Sequence, residues 1–192
     1  MNAKRRERIL ESASRLFAGP RFDEVLMEDI ARAAGVGKGT LYRYFRDKEE
    51  LYAAVVFAGI ADLKEQLRRR LAEGAGPVQR LEAALRAIVA FLGSKRFFFR
   101  LMTREDSKAG NRKDEYWHRW RQERGELTTC IAQILQEGAA GGLFEVRHPQ
   151  TEAQILLGMA RSALRFNEDK LSAEEVVEEI LRIFLHGIQR RS

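Results

Sequence analysis

Residues 38 to 48, Lys-Gly-Thr-Leu-Tyr-Arg-Tyr-Phe-Arg-Asp-Lys, gather a hydroxyl, guanidinium groups and two phenols on one short helical stretch. At 100° per residue, Leu41 and Phe45 fall on one side, suited to packing on other helices. Gly39, Thr40 and Arg43 fall roughly opposite, with Tyr42 and Tyr44 on the flanks. Gly39 lets the backbone come close to a partner, Arg43 can read guanine or hold phosphate, and Thr40 can meet a base or the backbone. The two tyrosine hydroxyls suit phosphate oxygens. Lys48 starts the following helix, where its charge and the free N–H groups both favour a phosphate.

Such a face needs elements to hold it. Residues 27–34 form a short amphipathic helix with Ile30, Ala31 and Ala34 inward. Gly35 can end it in the left-handed conformation, and Val36 can fill the angle before the next helix. This is the layout of a helix-turn-helix that sets its second helix in the DNA major groove. Ahead of it, Ile9, Ala13, Leu16 and Phe17 make the buried stripe of a first helix, stopped by Gly19-Pro20. Lys4, Arg5, Arg6 and Arg8 crowd that helix's start, as a solvated end or as a DNA-contacting one. Behind it, Asp47 caps a longer helix with Glu50 in capping-box spacing. That helix runs past Leu67 and Leu71 to Gly74-Ala75-Gly76-Pro77.

Composition agrees with a polyanionic partner: the net charge is +6 and the pI about 9.7. The one cysteine, Cys130, excludes an internal disulfide framework and a Cys-rich zinc site, so a reducing cytosol is expected. Its neighbours Ile131 and Ile134 make it a small buried hydrophobe. His118, His148 and His186 are far apart and lack metal-ligand spacing. No nucleophile–base pair, phosphate-binding glycine loop or metal cluster marks an enzyme, and no cofactor is expected. No apolar run approaches the roughly 20 residues of a membrane span.

Beyond Pro77 the helices lengthen. Val78, Leu81, Leu85, Ile88 and Leu92 form one stripe, and Phe97-Phe98-Phe99 with Met102 is dense in apolar surface. Residues 103–114 read as a polar loop. A helix follows from about Asp114 to Gly138 with Tyr116, Trp117 and Trp120. Two more come after the Gly141-Gly142 turn, and the last is capped by Ser172 and Glu175. The chain is therefore expected to be all-α.

The run Ile30-Ala31, Ala34-Gly35-Val36, Lys38-Gly39-Thr40-Leu41-Tyr42, Tyr44-Phe45 and Lys48-Glu49-Glu50-Leu51 resembles the DNA-binding domain of the TetR family of transcriptional regulators. The resemblance covers roughly the first 55 residues. It implies an N-terminal three-helix helix-turn-helix domain over residues 1–56 and a C-terminal helical ligand-binding and dimerisation domain over 57–192. It further implies a cytoplasmic homodimer, usually a repressor, on a palindromic operator in double-stranded DNA, released by a small-molecule effector. The same fold controlled by a protein partner, with no pocket, is the alternative.

Family DNA-contact roles then fall on Lys38, Gly39, Thr40, Tyr42, Arg43, Tyr44 and Lys48. The implied cavity lies among the helices from Pro77 to Phe166, with Phe98, Met102, Tyr116, Trp117, Trp120, Met159 and Phe166 as its candidate lining. The last two helices would make the dimer's four-helix bundle through Ile155, Met159, Ala163, Val177, Ile180, Leu181, Phe184 and Ile188. Three positions depart from the family pattern. Leu26 stands where a capping, phosphate-touching Thr is frequent, Gly37 where Ser or Ala is usual, and Gly19-Pro20-Arg21 where Gly precedes the aromatic Phe22. Arg21 is a candidate to recover the phosphate contact.

Overall fold

The computed structural model describes residues 2–19, 24–71, 76–95, 99, 115–167 and 169–188. Eight helices lie among them: α1 (Ala3–Phe17), α2 (Met27–Ala33), α3 (Lys38–Tyr44), α4 (Lys48–Leu71), α5 (Pro77–Ser94), α6 (Glu115–Ala140), α7 (Pro149–Arg165) and α8 (Ala173–Ile188). The fold is all-α, as expected. None of these helices is long and apolar enough to cross a membrane.

The helix ends follow local chemistry. Asn2 caps α1, its side-chain oxygen accepting the Arg5 N–H at 3.4 Å. Asp47 accepts the Glu50 N–H at 2.7 Å at the start of α4, while the Glu50 carboxylate takes the Arg46 N–H at 2.7 Å. Ser172 and Glu175 close a full capping box at α8: Ser172 N–H donates to Glu175 (2.7 Å) and Glu175 N–H to Ser172 Oγ (3.2 Å). At α2, Leu26 has extended backbone and offers no side-chain oxygen; only Asp29 contributes, accepting the Leu26 N–H at 3.1 Å.

Residues divide into two compact units, Met1–Ala61 with Lys95–His118, and Asp62–Ser94 with Arg119–Ser192. In the first, α1 packs on α2 and α2 on α3. Its core holds Ile9, Ala13, Phe17, Ile30, Leu41 and Leu51, with the Phe17 and Tyr52 rings edge to face at 5.5 Å. Burial of such side chains, at about 1.5–3 kcal/mol each, is what fixes three short helices too brief to be stable alone.

In the second unit α5 packs on α7 and α8, and α7 on α8. Leu81, Leu85, Trp120, Ile134, Leu156, Val177 and Ile180 are among its core residues. Near the end of α6, Gly138 is buried, and a Cβ there would lie 2.1 Å from the Phe144 ring. The Leu143 and Phe144 N–H groups both return to the Gly138 carbonyl, at 2.9 and 3.2 Å. The chain turns back onto its own helix at that glycine.

Candidate nucleic-acid interface

The site begins at the turn between α2 and α3. Gly35 takes φ of +61°, and the Val36 N–H returns to the Ala31 carbonyl at 2.9 Å. Together these end α2 and redirect the chain. Leu41 and Phe45 are then driven into the core, fully and almost fully buried. With that side fixed, the opposite face of α3 has only one direction to point.

Gly39, Tyr42 and Arg43 are exposed, while Thr40 and Tyr44 are half-buried. Arg43 makes no hydrogen bond or ion pair among the described residues. Gly39 is more telling. Its φ is not in the left-handed region, and a Cβ added there meets nothing within 4 Å. Glycine lowers helix stability by about 0.8–1 kcal/mol relative to alanine in an interior position. No contact among the described residues requires it, and the lack of a side chain leaves the backbone of α3 open to close approach from outside.

The other predicted residues carry internal partners as well. Lys38 pairs with Glu28 across the α2–α3 angle, and its Nζ lies 5.9 Å from the Tyr42 ring centroid. The Glu28 contact raises the Lys38 pKa, and Lys38 lowers that of Glu28. Lys48 Nζ donates to the Val25 carbonyl at 3.3 Å, tying α4 to the segment that enters α2. The Tyr44 hydroxyl accepts the Asn2 N–H at 3.2 Å and donates to the Asn2 carbonyl at 3.4 Å, bracketing the start of α1. Sequence reasoning saw tyrosine and lysine as phosphate donors and missed these tethers. A tether between residues 42 positions apart leaves no periodic signal.

The seven residues thus share one short segment, from the start of α3 to the start of α4, that carries backbone, hydroxyl and cation donors. That arrangement can hold phosphates and present Arg43 and Thr40 to base edges. Arg21 lies outside the described residues.

The remaining candidates scatter more. Phe98 and Met102 lie outside the described residues. Tyr116 and Trp117 belong to the first unit, where the Tyr116 ring packs 5.4 Å from that of Phe57. Trp120, buried, belongs to the second, with the Arg124 guanidinium 5.7 Å from its ring centroid. Met159 is half-buried. Phe166, beyond the last turn of α7, is 62% exposed under the Arg165 guanidinium. A cleft of about 830 Å³ in the second unit is lined by Ala83, Ala87 and Ala90, by Arg69 and Arg70, and by Arg86 with its carboxylate partners Glu82 and Glu174. None of the expected aromatics lines it.

Of the residues expected at a dimer face, Val177, Ile180 and Phe184 are buried within this single chain. The apolar arc of α8 is wide, and its inner part is used against α5 and α7. Met159, Ala163 and Leu181 are half-buried, and Ile155 is 52% exposed. Ile183, which the sequence reading did not single out, is 49% exposed. The side chain of Ile188 lies outside the described residues.

A helix-turn-helix with a locked inner face and a cationic, hydroxyl-bearing outer one defines the class: a DNA-binding regulator. Residues 9–55 match the bacterial regulatory proteins of the tetR family, and residues 74–188 match the tetracyclin repressor-like C-terminal domain. The chain belongs to the TetR family of transcriptional regulators. It is 34% identical over 103 residues to the HTH-type transcriptional activator FasR of Mycolicibacterium smegmatis, a match covering 54% of this chain and 47% of that protein. It is 24% identical over 157 residues to the HTH-type transcriptional regulator YhgD of Bacillus subtilis, covering 82% and 81%. A TetR/AcrR-family regulator from Thermobifida fusca shares the fold at a TM-score of 0.76 and 28% identity, over 97% of this chain and all of that one.

Proposed function

We propose that this chain is a homodimeric repressor that binds a palindromic operator through α3 and is released by a small apolar or amphipathic molecule. Gly39 carries the DNA half of the reading, since an open, strain-free glycine beside an Arg43 unpaired among the described residues suits close approach of a duplex. Lys38, Tyr42, Tyr44 and Lys48 hold phosphates; Thr40 and Arg43 read bases.

Dimerisation is supported by Ile155 and Met159 on α7 and Ile183 on α8, apolar groups left outside the core. A C2 pair also meets the need for two recognition helices about 34 Å apart. The cleft beside Ala83, Ala87 and Ala90 lies within the size range of small-molecule sites, roughly 300–1,000 Å³, and its mix of alanines with Arg86 ion-paired to Glu82 and Glu174 suits an amphipathic effector. A second reading, control by a protein partner, is favoured by the burial of Trp117 and Trp120 as plain core.

Selection of bound fragments from genomic DNA tests the first claim. A two-fold symmetric site bound far more tightly than random DNA is expected, and indifference to sequence refutes the reading. A thermal-shift screen with hydrophobic compounds, followed by release from the selected operator, separates the two modes of control. A reporter downstream of the operator fixes the sign: expression rises on deletion of a repressor.

A further inference from the structure

In sequence, Lys4, Arg5, Arg6 and Arg8 form one charged end. In the fold they part. The Arg6 guanidinium sits 5.4 Å from the Phe45 ring centroid. Arg8 reaches across 26 positions, its Nη2 donating to the Ala34 carbonyl at 2.6 Å. Ala34 ends α2, its own N–H bonded to the Ile30 carbonyl at 2.9 Å. Carbonyls in a helix's last turn have no helical partner, and a cation there also meets the negative end of the dipole.

A Cβ on Gly35 would lie 2.8 Å from Arg8 Nη2. Gly35 is required by its φ of +61°, and a side chain there would also push the end of the Arg8 guanidinium aside. Gly37 and Lys38, which open α3, follow directly. The angle of the recognition helix is set at this turn, and α1 grips the turn through Arg8.

We propose that Arg8 is a positioning residue for the recognition helix, orienting α3 for base reading rather than contacting DNA itself. The proposal rests on the operator-binding reading above. A guanidinium bonded to the chain's own backbone predicts a different signature from one used on phosphate. Losing a phosphate contact lowers the slope of log K against log salt by about 0.9 per contact. A tilt of α3 instead costs base contacts, which discriminate sequence, while the phosphate count stays.

The test uses the full chain with the selected operator and random DNA of equal length, over a salt series. Arg8→Ala is expected to weaken operator binding about tenfold, the scale of one hydrogen bond to a charged group. The preference for operator over random DNA falls with it, and the salt slope does not change. Arg8→Lys, which returns a charge and a donor, recovers part of the preference. A slope reduced by about one makes Arg8 a phosphate ligand and overturns the proposal. So does wild-type affinity and preference below the melting temperature, which leaves Arg8 a stabilising residue only. If the alanine variant does not fold, Arg8→Gln, which keeps an amide donor, is judged by the same criteria. A wild-type chain without operator preference fails the operator reading itself, a result distinct from a failure at Arg8.

Discussion

Replacing Gly39 by alanine separates what the fold wants from what the partner wants. In the free protein the new methyl group meets nothing within 4 Å and the backbone needs no adjustment. Relief of glycine's conformational freedom in the unfolded chain then stabilises the protein by about 0.4–1 kcal/mol. For a chain of 192 residues that is a rise in melting temperature of about 1–4 °C. On the operator the same methyl group stands where the backbone and bases must close up. If it costs as much as one mismatched base pair, about 1–3 kcal/mol, affinity falls about fivefold to about 150-fold. Thermal unfolding at fixed protein concentration and fluorescence anisotropy on the selected operator read the two effects. They are expected to have opposite signs. Higher stability with unchanged operator affinity removes Gly39 from the interface and with it the orientation assigned to α3. Lower stability refutes the open environment of its Cα.

Three further outcomes follow from the same structure. Leu26→Thr supplies the missing N-cap oxygen of α2 and is expected to gain about 1 kcal/mol over Leu26→Ala in urea unfolding; equal stabilities of the two variants refute an uncapped helix. Gly138→Ala drives a Cβ into the Phe144 ring and is expected to cost about 1–3 kcal/mol, read as a lowered urea midpoint, with Phe144→Leu in the same chain restoring part of it. The Arg68 and Arg69 guanidinium groups hold the Glu65 carboxyl down at about 2. A depressed carboxyl stabilises the fold above its ordinary value near 4.5 and loses that contribution as pH falls toward 2. The small gap in melting temperature between wild type and Glu65→Gln should therefore close across that window; a gap that persists at pH 2 contradicts it.

How much was legible in advance differs from element to element. Leu41 and Phe45 were readable as an inner face because helical periodicity is a property of the chain alone, and packing then buried them as expected. The Ser172–Glu175 capping box was readable for the same reason, its partners being three residues apart. Val177, Ile180 and Phe184 were equally apolar and periodic, yet periodicity cannot say which neighbour an apolar face will meet. They pack inside the chain.

The segment from Leu26 to Leu51 was therefore enough to show a helix-turn-helix and its inward face at Leu41 and Phe45. Local geometry suffices for that: a period of 3.6 residues, a glycine for a left-handed turn, and short-range caps. The tertiary structure decided how the remaining charges and hydroxyls are spent. Arg8 on Ala34, Lys48 on Val25 and Tyr44 on Asn2 join positions 23 to 42 residues apart. Such pairings arise only when the helices pack, because a hydrogen bond over that distance depends on where the core brings the chain, and no local pattern encodes it.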